Sequence, residues 1–313
     1  MKGQAMRKFK RCWIIGAGAV GSVIAACLQM AEKVDTHLVG ESEHAKKIQT
    51  HGLHLEIIGK ASQTVQVSSV TPPQVPVLNK EDLVLLTGKI HGLEQTTSWL
   101  REKCGSETGV IALQNGIGPE AIIEKSLKRA VDRGLVFFGA HSNAIGNCHY
   151  FPGGIRLKRS EVTEGFCALL DDTAIQGEIS SDFNKISWQK AAINCIANPF
   201  TGILRTNNRE VTDVVLNPAK EAVLKEVIKV AKAEGVDLGI TVNDINRYLD
   251  QDNIPSLRTD LERGMPTEID FINGAVAAIG AKHGIKTPAN DLIVSMVKYI
   301  ETKGLFLIQP MRS

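Results

Sequence analysis

Along the first half of the chain, short apolar runs alternate with segments whose apolar residues recur at helical spacing. The runs 12–15, 36–39, 83–87 and 110–113 are predicted as strands, and 20–30, 93–100 and 119–126 as helices. That alternation is the signature of a parallel sheet with crossover helices. Between the second and third strands, GLHLEIIGKASQTVQVSS alternates apolar and polar residues, which predicts a hairpin rather than a crossover. Further strands over 135–140 and 154–158, around a turn at FPGG, should give the sheet an antiparallel annex. After Ser181 the texture changes to long helical periods, 186–197, 218–234, 242–248, 268–282 and 289–301. Gly235 and Gly284 stand where helix C-caps are expected, and Thr287-Pro288 reads as an N-cap followed by an N1 proline. The expected organisation is an α/β domain over 1–181 and an all-α domain over 182–313.

The string IIGAGAVG places Gly16, Gly18 and Gly21 as GxGxxG between the first strand and the first helix. In that context each glycine has a physical reason: a tight turn, close approach of backbone N–H groups to a pyrophosphate, and helix–strand packing. The helix N-terminus adds a positive dipole end for the phosphates. The first domain is therefore expected to be a Rossmann-type dinucleotide-binding domain, with Gly16, Ala17, Gly18, Ala19, Val20 and Gly21 at the cofactor. Glu41, in HLVGES, lies where an acidic residue would bind the ribose 2′-hydroxyl, which favours NAD and repels the extra phosphate of NADP. Lys46 and Lys47 follow closely and could still neutralise that phosphate.

In the second domain, WQKAAINCIANP puts Lys190, Asn194 and Asn198 four residues apart, on one face of a helix otherwise filled by Ala, Ile and Cys. That line faces either water or something polar. A carbonyl reduced by hydride gathers negative charge on oxygen and must gain a proton, and a lysine ammonium can do both jobs. An unperturbed lysine titrates near about 10.4, so it carries its proton at neutral pH. Two amides at the next turns would orient hydroxyl or carboxylate groups of a small substrate.

Composition bounds these readings. With 313 residues, 43% hydrophobic and 22% charged, the chain suits a soluble protein of two domains. The net charge of +2 gives no reason to expect nucleic acid or an anionic membrane as partner, and no run is long and apolar enough to span a bilayer. The basic opening before WIIGAGAVG does not read as a signal peptide, because the glycines of the apolar stretch fall on the nucleotide-loop pattern. Six scattered cysteines without a CxxC pair read as buried thiols of a cytoplasmic protein, and no metal site is expected. HExxH, GxSxG and P-loop strings are absent.

Two more segments complete the pattern: LQNGIGPE, with Asn115 directly after a strand, and TEIDFINGAVAAIGAKHGIKTPAND, with Glu268 at a helix start and Asn273-Gly274 where helix propensity disfavours both. Together with the glycine loop and WQKAAINCIANPFTGI, they resemble the ketopantoate reductase (2-dehydropantoate 2-reductase) family over nearly the whole chain. The resemblance implies a C-terminal domain like that of 6-phosphogluconate dehydrogenase and NADPH-dependent reduction of 2-dehydropantoate to pantoate, a step toward pantothenate and coenzyme A. By position, Lys190 matches the family's general acid and Glu268 a glutamate that orients substrate and supports the lysine. Asn194, Asn198 and Ser256 match substrate-binding residues, Asn115 a residue near both cofactor and substrate, and Lys89 a lysine near the reacting groups. Many family members carry an arginine at the place of Glu41, so NADP(H) is the family expectation while Glu41 leaves NAD(H) open. Pro255 before Ser256, and the segment after FPGG, also depart from the family pattern and leave room for another branched 2-keto acid. A dinucleotide sensor without catalysis is the reading from another class, and a homodimer is left open.

Overall fold

The computed structural model describes residues 6–305. Residues 1–5 and 306–313, which the expected domain spans include, lie outside the described residues. The chain forms two compact units, one containing the chain up to Gln114 together with Pro119–Phe183, the other Asn115–Gly118 together with the chain from Asn184 onward.

In the first unit, β1 (Arg11–Ile15), α1 (Ala19–Ala31), β2 (Asp35–Val39) and α2 (Ser42–His51) are followed by β3 (Leu53–Ile57), β4 (Gln63–Val65) and β5 (Ser68–Val70). Then come β6 (Asp82–Leu86), α3 (Leu93–Lys103), β7 (Gly109–Ala112), α4 (Pro119–Leu127), β8 (Asp132–Ala144), β9 (Asn147–Lys158), α5 (Glu161–Leu170) and β10 (Gln176–Ser180). The strands join in the order β4-β3-β9-β8-β7-β6-β1-β2-β5, with β10 on β9. From β5 to β8 every pairing is parallel, and β8–β9 and β3–β4 are the antiparallel pairs. This is a Rossmann-like sheet carrying the expected annex. Its strand order reverses between β1 and β6, the place where α/β sheets open a crevice for ligands.

Two local expectations change, and one helix was not foreseen. The hairpin forms as β3–β4, but β5 leaves it and adds to β2, at the other end of the sheet. FPGG is not a turn but lies inside β9, and the reversal falls at Ile145-Gly146, where Gly146 has φ +83°. Pro152 cannot donate to a ladder, and the register shift between Phe137 and Gly139 sets Pro152 and Gly153 against Phe138 as a bulge that removes the need. The segment SEHAKKIQTH is helical although only Ala45 and Ile48 are buried.

The second unit is helical: α6 (Phe183–Leu204), α7 (Asn208–Val211), α8 (Asn217–Ala233), α9 (Val242–Leu249), α10 (Ser256–Glu262), α11 (Asn273–Lys282) and α12 (Pro288–Lys303). Gly235 and Gly284 take the left-handed conformation just past α8 and α11, and Thr287-Pro288 opens α12 as expected. The helix expected over 186–197 runs further, through Pro199 to Leu204. The helix expected over 268–282 is broken: Ile269–Phe271 form a single 3-10 turn, and Ile272, with ψ −98°, interrupts the chain before α11 starts at Asn273. The core of this unit gathers Trp188, Ile196 and Phe200 of α6 with Val223, Val227 and Val230 of α8 and Val297 of α12. Among the described residues no helix is long and apolar enough to cross a membrane.

The first unit's sheet is pinned at the start of β1 and β6 by one buried carboxylate. Asp82 accepts from Arg11 twice, at 2.7 and 2.9 Å, from the Trp13 indole at 3.0 Å and from the Asn79 N–H at 2.7 Å. Burial alone would raise its pKa, but these donors together hold it below the ordinary carboxylate value. Asp82→Ala should lower the unfolding free energy at neutral pH by about 3 kcal/mol, since it strands the guanidinium and the indole. Because the folded pKa lies below the unfolded value of about 3.9, this stability is present above that pH and is lost as pH falls through the folded pKa. Urea unfolding of wild type and variant across pH should therefore converge in acid. A gap that stays constant down to about pH 2 would contradict the assignment.

Candidate active site

At the carboxyl ends of β1, β2 and β6 the first unit has a cleft of about 630 Å³, lined by Ile15–Gly18 residues of the glycine loop, by Gly40, Glu41 and His44, and by Gly88, Lys89 and Gln114. Gly16 has φ +120°, and a Cβ there would stand 2.4 Å from the Gly88 nitrogen, so the loop closes against the end of β6 only without a side chain. Thr87 Oγ1 ties the two together by donating to the carbonyls of Ile15 and Gly16. A Cβ on Gly21 would stand 2.1 Å from the Gly16 carbonyl oxygen, so this glycine seats α1 against the loop, and Ala19 and Val20 form the first turn beside it. Gly18, the N-cap of α1, offers no side-chain cap, and a Cβ there would meet nothing within 4 Å. The first N–H groups of α1 are thus left without a capping side chain beside a cleft with room in front of them. That is what a dinucleotide pyrophosphate requires, and the residues fit the group.

Glu41 follows Gly40 at the end of β2 and is exposed as the N-cap of α2. Lys89 is exposed at the start of the short 3-10 turn after Gly88. His44, Trp99, Lys103 and Gln114 also line the cleft and were not singled out by the sequence. Of these only Gln114 had a signal, as the residue before Asn115. It is buried, its Oε1 has no protein partner, and its backbone carbonyl is held at 2.6 Å by the buried Arg133.

In the second unit the polar line of α6 does not face open water. Lys190 and Asn198 are 9% and 6% exposed, and Asn194 is half-buried. Steps of four residues set the three side chains about 6 Å apart along the axis. The Lys190 ammonium donates to Asn115 Oδ1 at 3.0 Å. Asn115 opens a loop with φ +88° at Gly116 and +87° at Gly118, and the Ile117 N–H donates to the Phe271 carbonyl at 2.8 Å. A Cβ on Gly116 would stand 2.5 Å from that same carbonyl oxygen, so glycine is required for the loop to seat. Glu268, 9% exposed, begins the turn that ends at Phe271. Lys190, Asn115 and the turn headed by Glu268 are thereby joined.

Ser256 stands apart from these contacts, exposed at the first position of α10, with the buried Pro255 as N-cap. Its helix is drawn to α6 at Gly202, where a Cβ would stand 2.5 Å from Leu257 Cδ2. Cys195 lies between Asn194 and Asn198 in the chain, but burial pushes its thiol far above the ordinary range, which removes it as a nucleophile.

Residues 12–160 match the ketopantoate reductase PanE/ApbA family model, and residues 182–301 match the model of that family's C-terminal domain. The chain belongs to the ketopantoate reductase family. Among the ketopantoate reductases it resembles, the 2-dehydropantoate 2-reductase of Caulobacter vibrioides is 30% identical over 291 residues, 91% of this chain and 97% of that one. That of Archaeoglobus fulgidus is 28% identical over 94% of this chain and 99% of its own. The solved structure of D-mandelate dehydrogenase with NADH and anilino(oxo)acetate superposes with a TM-score of 0.85 at 26% identity, covering 94% of this chain and 99% of that one. Membership makes the chain an NAD(P)-dependent oxidoreductase.

Gly18→Ala separates binding from folding. With open space around the new methyl, the melting temperature should stay within a few degrees of wild type while the Kd for NADH rises at least about tenfold, roughly 1.4 kcal/mol. Fluorescence titration of the reduced nicotinamide reads this, and an unchanged Kd would remove Gly18 from the phosphate cradle.

Proposed function

We propose that the chain is a cytoplasmic 2-keto acid reductase that converts 2-dehydropantoate to pantoate, with the dinucleotide held by the first unit and the keto acid by the second. The observation that carries this reading is the buried Lys190 ammonium held by the neutral oxygen of Asn115. The amide oxygen fixes the direction of the ammonium, whose remaining hydrogens can reach a substrate oxygen. When bound, the reduced nicotinamide supplies the hydride. Lys190 hydrogen-bonds the keto oxygen, stabilises the charge that grows there, and gives up a proton to it. Asn194 and Asn198 hold the oxygens flanking the carbonyl, Ser256 receives the carboxylate, and Glu268 orients the substrate and supports the lysine, which regains its proton from solvent.

For the cofactor, Glu41 supports NADH. Its exposed carboxylate lines the cleft just past the end of β2, the position at which dinucleotide folds use an acidic residue for the ribose hydroxyls, and no arginine is among the cleft's described lining residues. A 2′-phosphate would meet that negative charge, whereas a ribose diol can donate to it. The D-mandelate dehydrogenase neighbour, solved with NADH and anilino(oxo)acetate, favours a second reading in which the substrate carries an aromatic group.

Oxidation of NADH and NADPH should be followed with 2-dehydropantoate and, in parallel, with the keto acid that corresponds to mandelate. The expected result is turnover of 2-dehydropantoate with kcat/KM at least about tenfold higher for NADH. Glu41→Arg should reverse that preference. Turnover of the aryl acid alone would move the assignment to the second reading, and dinucleotide binding without turnover of either would favour a sensor.

A further inference from the structure

We propose that Asn273 is a positioning residue that holds α6 in its working shape by replacing the one helix hydrogen bond that Pro199 removes. The proposal rests on the reading of Lys190, Asn194 and Asn198 as the line that meets the substrate. Pro199 lies inside α6 and has no N–H, so the carbonyl of Cys195, four residues earlier, loses its helical donor. Cys195 is fully buried, so its carbonyl is out of reach of bulk solvent. Asn273 Nδ2 donates to that carbonyl at 3.0 Å.

The amide is not free to turn. Glu226 accepts from Asn290 Nδ2 at 2.7 Å and from the N–H groups of Ala289 and Asn290, which fixes the donor end of the Asn290 amide toward it. Asn290 Oδ1 therefore faces Asn273 and accepts from its Nδ2 at 3.0 Å. Both Nδ2 hydrogens of Asn273 are thus committed, one to Asn290 and one to α6. Asn273 and Asn290 are wholly buried, and Asn273 Oδ1 has no partner in the protein, so the side chain is kept for its donors alone. A buried oxygen left unmatched is tolerated where another bond requires the group.

The place of the missing bond gives it meaning. The opened turn runs from Cys195 to Pro199, with Asn194 directly before it and Asn198 within it, and Lys190 one turn earlier. A shift of this turn re-aims both asparagines relative to the lysine. Asn273 also ends the segment that begins at Glu268 and carries the Phe271 carbonyl, the anchor of the Asn115 loop. One stretch of chain thereby sets Glu268, the partner of Lys190, and the bearing of the two asparagines.

Asn273→Ala, Pro199→Ala and the double variant test this, because alanine at 199 returns the backbone donor to Cys195. Asn273→Ala should lower kcat for 2-dehydropantoate about tenfold to a hundredfold, leave the NADH Kd within about twofold, and speed amide exchange over 194–203. In the double variant, exchange protection and melting temperature should recover while kcat stays low, since the turn is closed but differently shaped. Recovery of kcat together with stability would reduce Asn273 to a merely structural residue and overturn the proposal. Pro199→Ala alone keeps the test valid should Asn273→Ala not fold: it should retain stability and lose kcat, and wild-type turnover would refute the claim. Should the wild-type protein turn over no 2-keto acid, the functional reading fails by itself. Exchange still decides the clamp, because unaltered protection of 194–203 in Asn273→Ala would disprove it.

Discussion

A buried ammonium with a neutral acceptor is the constraint around which the second unit is arranged. Lys190 is taken out of water on a helix that is largely apolar, and its ammonium donates to the amide oxygen of Asn115. Burial of a charge is costly. It persists where the charge has work to do, and a growing alkoxide is the chemistry that such a charge serves. The loop that brings Asn115 is seated by Gly116 and by the Phe271 carbonyl, and the turn that carries Phe271 begins at Glu268. Lys190, Asn115 and the turn headed by Glu268 therefore form one connected set.

The first unit solves a different problem, which is to expose backbone donors without a competing side chain. Gly16 and Gly21 let the loop, the start of α1 and the end of β6 approach more closely than side chains allow, and Gly18 leaves the helix start open. Buried Asp82 and buried Arg133 hold the strands that carry this cradle, one at the start of β6 and one at the end of β7. The glycine loop is kept small where it meets the cleft, and Asp82 stiffens the sheet from the opposite end of β6.

Much of this was legible in the sequence because it depends on local pattern. The parallel strands and the glycine loop follow from apolar runs and from spacing, and Lys190, Asn194 and Asn198 were visible as a helical line. Pairing across distance was not legible. Lys190 and Asn115 are 75 residues apart, and only the fold makes them partners. Pro152-Gly153 reads as a turn because a proline rarely sits in a ladder, and the bulge that admits it depends on the opposite strand. Asn273 seemed misplaced in a helix interior because its reason lies in Pro199, and α2 was missed because only two of its residues meet the core.

The most direct test of this account is the single-turnover rate of Lys190→Ala with 2-dehydropantoate, measured beside the Kd of the reduced dinucleotide. The account predicts a rate lower by about 10²–10⁴-fold with Kd unchanged, as expected when a general acid and the charge it brings are removed from a site that does not hold the cofactor. A wild-type rate in that variant would contradict it and take Lys190 out of the chemistry.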